Sequence, residues 1–277
     1  MTRPGGGVRA ALLAPAAAFG VLGIGVPTVL LVVMSMQTFT IFGWEPAGLS
    51  NFRVVLSDAA TWRTLRNTLE YMAWLVPAVT VGALLIALGI RDHPRRSYLR
   101  FVLFAPSLTA GAIVVSFWRY FYAPEGPANQ LLGAIGLPAQ PWLIYGGPAV
   151  LAVSVVLWTS LVGSITLIYS ASIAGLDKQM YEAARVDGAR RGQINRLIII
   201  PNVLPTVSLV ALLTMIVAWH HLETVLLLAP ATFAGNVTLR MFQLAFSYGR
   251  HGEGAAVGVF VLVVVTGLAW AKQRLER

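Results

Sequence analysis

Six apolar runs, each close to the length of a membrane-spanning helix, dominate this chain of 277 residues. A helix needs about 20 mostly apolar residues to cross the hydrocarbon core of a bilayer. Charged residues make up only 11% of the chain, against about 25% in soluble domains. The sequence therefore predicts an all-α integral membrane protein and excludes a soluble globular fold.

The predicted spans are separated by short polar loops and one longer polar loop. They are 10–36, 69–90, 101–122, 148–174, 203–229 and 255–271. The apolar run that begins at Ala10 is longer than the apolar core of a cleavable signal peptide, so we expect it to be retained. No internal repeat interrupts the pattern, and a single domain over 1–277 is the simplest architecture.

Basic residues predict the orientation of these spans. The predicted outer segments hold six of the 20 basic residues: Arg53, Arg63, Arg66, Arg119, Arg240 and Arg250. The other 14, Arg3 and Arg277 among them, lie in the termini and inner loops. The positive-inside rule then places both termini and the loop 175–202 in the cytoplasm. Because topology accounts for the net charge of +9, we expect membrane lipid and no nucleic acid as a partner.

The chain lacks the common catalytic motifs. It has no cysteine, which excludes disulfides and thiolate metal sites, and no P-loop for ATP. His220, His221 and Glu223 invite a metal interpretation, but a site needs three or four ligands. The other histidines, His93 and His251, are predicted near the membrane surfaces. We therefore expect neither a metal site nor catalytic residues.

Two outer segments are predicted to have little regular structure. In 43–68, Ser50 or Asn51 is placed to cap a short helix. The segment 123–147 is rich in Pro and Gly, which favours a loop with about one turn of helix. The aromatic residues that flank this loop suit a membrane-interface belt, and the alternative is a platform on which a sugar stacks.

The loop 175–202 is the most polar run of the chain. Its pattern predicts a first helix over 177–186, with Asp177 as the N-cap, and a second helix over 190–199. Gly188 is expected to take a positive φ and to break the helix between them. A solvated basic loop would also satisfy the positive-inside rule, but a helix–glycine–helix unit is more order than topology requires.

A fixed spacing runs through this loop: Glu-Ala-Ala, then Gly after three residues, then Ile-x-x-Pro after nine more. Its members are Glu182, Ala183, Ala184, Gly188, Ile198 and Pro201. This spacing resembles the EAA signature of ABC-importer permease subunits, with Ile200 in place of the usual Leu. The outer string Gly48-Leu-Ser-Asn-Phe52 and the pair Asn67-Thr68 resemble the carbohydrate branch, the maltose and glycerol-phosphate group. The loop Leu228–Gly235 departs from the family pattern, so specificity cannot be carried over there.

The resemblance implies one half of a heterodimeric pore in a bacterial cytoplasmic membrane. Its partners would be a second homologous permease subunit, two ATP-binding cassette subunits and an extracytoplasmic solute-binding protein. No cofactor would bind this chain, since ATP and Mg belong to the ATPase subunits. The residues implied to dock an ATPase are Glu182, Ala183, Ala184, Arg185, Asp187 and Gly188. Glu182 would pair with a basic or hydrogen-bonding group, and the alanines would allow close seating.

Polar residues within or beside the predicted spans are candidates for the substrate path. They are Asn67, Glu70, Trp219, His220, His221 and Glu223. A sugar needs hydrogen-bond partners and an aromatic face, which Trp219 and His220 together can supply. The alternative is that these groups bridge to the partner permease.

Three classes of function fit a polytopic membrane chain. The first is a permease subunit of an ABC importer for a sugar or polyol, or for a non-sugar solute. The second is a secondary transporter or channel, which should show inverted repeats or broken helices that the sequence does not suggest. The third is a membrane-embedded enzyme, for which only the histidine pair offers a catalytic group.

Overall fold

A computed structural model describes residues 6–109, 111–229 and 231–275 of the chain. Their contacts form two compact units, one from the residues up to Arg63 with those from Arg240 onward, and one from Thr64–Leu239. Arg3 and Arg277, used in the orientation argument, lie outside the described residues. The predicted helical character is confirmed, with one short hairpin that the sequence did not predict.

The elements follow in chain order. They are α1 (Gly6–Phe19), α2 (Val26–Ser35), β1 (Gln37–Thr40), β2 (Gly43–Pro46), α3 (Ser50–Ser57), α4 (Ala59–Ile90), α5 (Arg96–Phe104), α6 (Gly111–Phe121), α7 (Pro127–Ala134), α8 (Gly146–Ala174), α9 (Lys178–Val186), α10 (Arg191–Ile194), α11 (Ile200–His220), α12 (Leu222–Leu228), α13 (Ala231–Ala234), α14 (Val237–Phe242) and α15 (His251–Leu275). A 3₁₀ turn covers Ala105–Leu108, and π-helical segments cover Gly20–Gly25, Asn195–Ile199 and Gln243–Ser247.

In the first unit, α15 packs against α2, α3 and the β1–β2 hairpin. Two glycines of α15 allow close packing: a Cβ on Gly254 would lie 2.7 Å from the side chain of Ala245, and one on Gly258 would lie 3.1 Å from Leu31. The capping prediction for α3 is wrong, because its N-cap is Leu49. The Asn51 amide instead donates to the backbone carbonyls of the α2–β1 junction.

The second unit is built around α8, whose buried residues recur from Ala149 to Ile173. Such a helix is apolar on every side, as expected for a segment surrounded by other helices. Trp158 of α8 lies over Gly82 of α4 and donates its indole N–H to the carbonyl of Ala78 at 3.1 Å. Gly163 of α8 meets the backbone of Leu103 in α5, a contact that leaves no room for a side chain.

Four described helical segments are long and apolar enough to cross a membrane. They are Leu13–Ser35, Ala59–Ile90, Gly146–Ala174 and Arg191–His220. The pair Arg96–Leu108 and Gly111–Phe121 makes a fifth if it is taken as one span, although its halves meet at 94°. The apolar stretch His251–Gly267 of α15 is shorter. The protein is therefore a multi-pass membrane protein.

The continuous helix predicted over 101–122 is wrong. Pro106 has no backbone N–H to donate, and the chain tightens there into the 3₁₀ turn. Thr109 then takes an extended conformation, and α6 starts in a new direction. The physical cause is a proline in a run whose composition alone looks helical.

The helix predicted over 203–229 is also broken. It ends at His220, and α12 begins after His221, whose φ and ψ of −73° and 60° are not helical. The backbone carbonyl of Trp219 accepts from the Thr238 hydroxyl at 2.8 Å and from the Asn236 amide at 3.4 Å. These side chains replace the amide that would have continued the helix.

The second span begins earlier than the sequence predicted. Helix α4 starts at Ala59 because the Asp58 carboxylate accepts from the backbone amides of Ala60 and Thr61 at its N-terminus. Asp58 also pairs with Arg240 at 2.6 Å. The segment 123–147, predicted to be an outer segment, contains α7, two turns rather than the predicted one, with Pro127 in its first turn.

Candidate functional site

Helix α9 carries the Glu-Ala-Ala sequence and is water-exposed along its length. Asp177 caps it as predicted, accepting from the amide of Gln179 at 2.9 Å. Gly188 has a φ of +80°, which confirms the predicted break, because this left-handed conformation favours glycine. Helix and break together make α9 a short arm that projects after α8.

The second helix predicted in this loop is wrong as an independent element. It runs through the π-helical segment Asn195–Ile199 into α11, so that Arg191–His220 forms one span. A widened π turn just before Pro201 accommodates a residue that has no N–H to donate. The chain after the arm is therefore directly the start of a long helix.

Helix α9 has two faces. Four residues at helical spacing line a cleft: Lys178, Tyr181, Glu182 and Arg185. The opposite face presents Met180, Ala183 and Val186, and the last of these is 88% exposed. Apolar groups held in water on a polar helix mark a surface for a partner. We did not predict this face, although apolar residues that recur at every third position could have revealed it from the sequence.

The predicted docking residues lie close together but differ in exposure. Glu182, Ala183, Arg185, Asp187 and Gly188 are exposed, and Ala184 is half-buried. Glu182 makes no hydrogen bond or ion pair with any described residue, so its carboxylate is available to a partner.

Two arginines link the end of α4 to the arm and to the helix that follows it. The guanidinium of Arg191 donates to the carbonyls of Leu88 and Gly89 at 2.9 and 3.1 Å, and these are among the last carbonyls of α4. Arg91 donates to the side chain of Asn195 at 3.2 Å and lies 5.7 Å from the centre of the Tyr181 ring. The end of α4 thus contacts both α9 and the first turns of the Arg191–His220 span.

Asp92 completes this junction. Its carboxylate accepts from Arg91 at 2.9 Å and lies 3.4 Å from Arg191. The hydrogen bond from Arg91 and the positive charge of both arginines hold the pKa of Asp92 below its usual value. The carboxylate therefore stays charged across the physiological range and bridges the two guanidinium groups.

The cleft beneath the arm, here called the basic cleft, has a volume of about 510 Å³. The end of α4 and its turn, α5, the end of α8 and α9 form its walls. Its charged lining consists of Arg91, Asp92, Arg96, Arg100, Lys178, Glu182 and Arg185. Five cations against two carboxylates leave a net charge of +3.

A second cleft, here called the aromatic cleft, has a volume of about 330 Å³. Its lining is Glu70, Trp74, Gln140, Trp142, Gly147, Pro148 and Leu151. Glu70, a predicted path residue, forms an ion pair with Arg66 at 3.4 Å. The buried Asn129 holds the loop, because its carbonyl oxygen accepts from the amide of Gln140 and from the indole of Trp142 at 2.9 and 3.0 Å.

Comparison with known proteins identifies the family. Residues 60–277 match the family model described as binding-protein-dependent transport system inner membrane component. The chain belongs to this family. It is a permease component of a binding-protein-dependent ABC importer, a transport subunit of the inner membrane.

Individual relatives agree with this assignment. The permease is 30% identical over 275 residues to the diacetylchitobiose uptake system permease protein of Streptomyces coelicolor, a match covering 88% of this chain and 77% of the relative. A bacterial ABC transporter that imports the acidic polysaccharide alginate shares its fold, with a TM-score of 0.85, 22% identity and coverage of 98% and 95%. A bacterial alginate transporter in complex with an alginate pentasaccharide-bound periplasmic protein gives a TM-score of 0.82 at 22% identity, covering 98% and 94%.

Of the remaining predicted path residues of the permease, Asn67, Trp219 and His221 are buried, and His220 and Glu223 are exposed. Trp219 is 2% exposed, so its ring is not presented to a ligand. His221 is buried and packs edge-on against Tyr71, with ring centres 4.4 Å apart. His220 is exposed, and its Nδ1 lies 3.0 Å from the carbonyl of Ile216. Among the described residues, these side chains form no group of three metal ligands.

Asn67 and Glu223 also contact the protein itself. The Asn67 amide donates to the carbonyls of Phe233 and Gly235, both at 3.0 Å, and the residue is buried. It fixes the segment that departs from the family pattern. The carboxylate of Glu223 lies against Gly111 at the N-terminus of α6, where a helix dipole favours negative charge.

Proposed function

We propose that this permease forms one half of the translocation pathway of an ATP-driven importer for an oligosaccharide or a related polyol. Its partners are a second homologous permease, two ATP-binding cassette subunits and an extracytoplasmic solute-binding protein. The chain itself is non-catalytic and binds no cofactor, since ATP and Mg belong to the ATPase subunits. In this arrangement it has six spans, with both termini in the cytoplasm.

The observation that carries the proposal is the arm. Helix α9 exposes Met180, Ala183 and Val186 on its outer face, and Glu182 is unpaired among the described residues. In our account an ATPase subunit seats on this apolar face and also reaches the exposed Glu182 on the cleft-lining face of the helix. Close packing against the small Ala183 would let the two surfaces move as one body.

The arm contacts supply a route for transmitting force. Movement of α9 is passed to α4 through the Arg91–Tyr181 contact. The chain after Gly188 leads directly into the Arg191–His220 span, and Arg191 ties that span to the last carbonyls of α4. Two long helices thus respond together when the ATPase subunits close on ATP.

The carbohydrate class is supported by the aromatic cleft. Trp74 and Trp142 bring apolar ring faces, and Glu70 and Gln140 bring hydrogen-bonding groups. Sugars combine apolar C–H faces with dense hydroxyl groups, so this lining suits them. The relative and the structural neighbour named above are described as serving the uptake of diacetylchitobiose and the import of alginate, both of them saccharides.

The test uses the complete importer reconstituted with its ATPase subunits and loaded binding protein. Glu182→Lys reverses the charge on the arm, and we expect binding-protein-stimulated ATP hydrolysis and import to be lost. Glu125→Lys makes the same change at an exposed residue of the α6–α7 turn and should leave both near wild type. Normal import by Glu182→Lys would contradict the proposed role of Glu182 in docking.

The same preparation separates the alternatives. A secondary transporter or channel would move solute without the ATPase subunits, and an importer would not. A non-sugar solute would be revealed by a binding protein that binds no saccharide while the coupled ATPase remains active.

A further inference from the structure

The basic cleft contains more positive charge than the protein itself neutralises. Asp92 is shared by Arg91 and Arg191. The other four cations of the lining form no ion pair among the described residues: Arg96, Arg100, Lys178 and Arg185. The cleft is therefore a site of unsatisfied positive charge, and an anion is its natural occupant.

Two buried donors in the lining also lack partners. Ser170 is 5% exposed, and its hydroxyl makes no hydrogen bond with a described residue. The Nε of Arg100 is likewise buried without an acceptor. Buried donors without partners cost stability, so an external acceptor would satisfy both. A hydroxyl and a guanidinium lining the same cleft are the groups that bind phosphate oxygens.

The surroundings indicate what carries the phosphate. The cleft lies where α4 and α8, both long enough to span the membrane, come to an end. Its apolar lining is Ala87, Ile173, Ala174 and Leu176. On α5, Arg96 and Arg100 line the cleft, and other faces of the helix expose Phe101, 65% exposed, and Val102, 47% exposed. A helix with basic residues on one face and exposed apolar groups beside them is typical of a membrane interface.

We propose that the basic cleft binds the phosphodiester headgroup of an anionic phospholipid. The headgroup phosphate contacts Arg96, Arg100 and Ser170, and the acyl chains lie along Phe101 and Val102. Basic pockets between membrane helices on the cytoplasmic side bind anionic headgroups in this way. The cytoplasmic side rests on the topology of the proposed function, and the lipid site goes beyond that function.

This site has a consequence for coupling. Lys178 and Arg185 of α9 line the same cleft as Arg96 and Arg100 of α5. A bound headgroup therefore neutralises repulsion between the arm and α5 and holds the arm in place. Anionic lipid should raise the coupling of ATP hydrolysis to import.

The test measures lipid retained by the purified complete importer in native mass spectrometry, with phosphatidylglycerol and phosphatidylcholine as probes. Wild type should retain phosphatidylglycerol in preference to phosphatidylcholine. Arg96→Gln with Arg100→Gln should weaken phosphatidylglycerol binding about thirtyfold, since each basic residue near an anionic lipid contributes a factor of about five. Arg53→Gln with Arg119→Gln is the matched control, because it removes the same charge from exposed residues outside the cleft.

A conservative variant guards against misfolding. Arg96→Lys with Arg100→Lys keeps the charge and should retain most of the binding. Equal retention of both lipids by wild type, or equal retention of phosphatidylglycerol by wild type and the glutamine variant, would overturn the proposal. So would displacement of the lipid by millimolar inorganic phosphate, which would assign the cleft to a free anion. If the loaded binding protein fails to stimulate ATP hydrolysis by the wild-type importer in either lipid, the result counts against the proposed function instead.

Discussion

The basic cleft and the aromatic cleft are lined by the same two helices, at opposite ends of α8 and at the end and the middle of α4. Glu70 and Ala87 of α4 are separated by roughly 26 Å, and Leu151 and Ser170 of α8 by roughly 29 Å, at 1.5 Å per residue. The hydrocarbon core of a bilayer is about 30 Å thick. The two clefts are therefore about one membrane thickness apart along a shared scaffold.

Their chemistry differs in a way that separates their tasks. The basic cleft has five cations in its lining and an arm whose Glu182 is unpaired among the described residues, and Arg191 after the arm binds the last carbonyls of α4. The aromatic cleft has two tryptophans and a single charged residue, Glu70, and its loop is fixed by Asn129. Charge is concentrated in the basic cleft, beside the proposed sites of the ATPase and the lipid. Aromatic ring faces are concentrated in the aromatic cleft, the proposed site of the sugar.

The largest expected effect comes from removing the seat of α5. Gly163→Ala adds a methyl group where the Leu103 carbonyl already lies, so α5 must move away from α8. Overpacking of this kind costs about 1–3 kcal/mol. We expect a lower melting temperature in detergent and loss of the basic cleft. Gly89→Ala, with open space around its Cβ, should keep wild-type stability; equal behaviour of the two variants would contradict the packing.

An intermediate effect is expected at the junction between α4 and the arm. Arg191→Ala removes two hydrogen bonds to α4 carbonyls and the contact with Asp92. Both bonds are partly exposed to solvent, so we expect a contribution of about 0.5–1 kcal/mol each, and stimulated ATP hydrolysis should fall about tenfold while the ATPase subunits remain bound. Arg196→Ala, an exposed arginine of the same helix, is the control. If ATP hydrolysis by Arg191→Ala is stimulated as in wild type, the contacts between Arg191 and α4 are not needed for coupling.

The smallest effect is expected in the aromatic cleft. Trp74→Ala should raise the substrate concentration needed for half-maximal import about two- to tenfold, since an aromatic contact contributes about 0.5–1.5 kcal/mol. Trp74→Phe should retain most of the affinity. Trp44→Ala, which removes a partly exposed tryptophan outside the cleft lining, should change nothing. If Trp74→Ala transports like wild type, the aromatic cleft is not on the sugar path.

Local signals in the sequence were sufficient for the arm. The Asp177 cap and the Gly188 break each depend on residues within a few positions or on the absence of a side chain. Helix α9 was predictable for the same reason. Its outer apolar face was missed because Met180 and Val186 were weighed as parts of a polar loop.

The breaks and clefts depend on residues that only the fold brings together. Helix α4 begins at Ala59 because Asp58 caps it and pairs with the distant Arg240. The helix that ends at His220 is stopped by side chains from α14 and the turn before it. The aromatic cleft joins α4 to a loop 70 residues later, and neither apolar periodicity nor composition contains that pairing. The β1–β2 hairpin was not predicted because its strands have only four residues each, too few for an alternating pattern to stand out.

The central claim is that the outer face of α9 lies in the cytoplasm and is covered by an ATPase subunit. Because the chain has no cysteine, Val186→Cys provides a single thiol for a membrane-impermeant maleimide. We predict rapid labelling in inside-out vesicles that lack the ATPase subunits, little labelling in intact cells, and protection once those subunits are bound. Ile135→Cys, 72% exposed after α7, should show the opposite sidedness and no protection. Labelling of Val186→Cys from outside, or equal labelling with and without the ATPase subunits, would contradict the account.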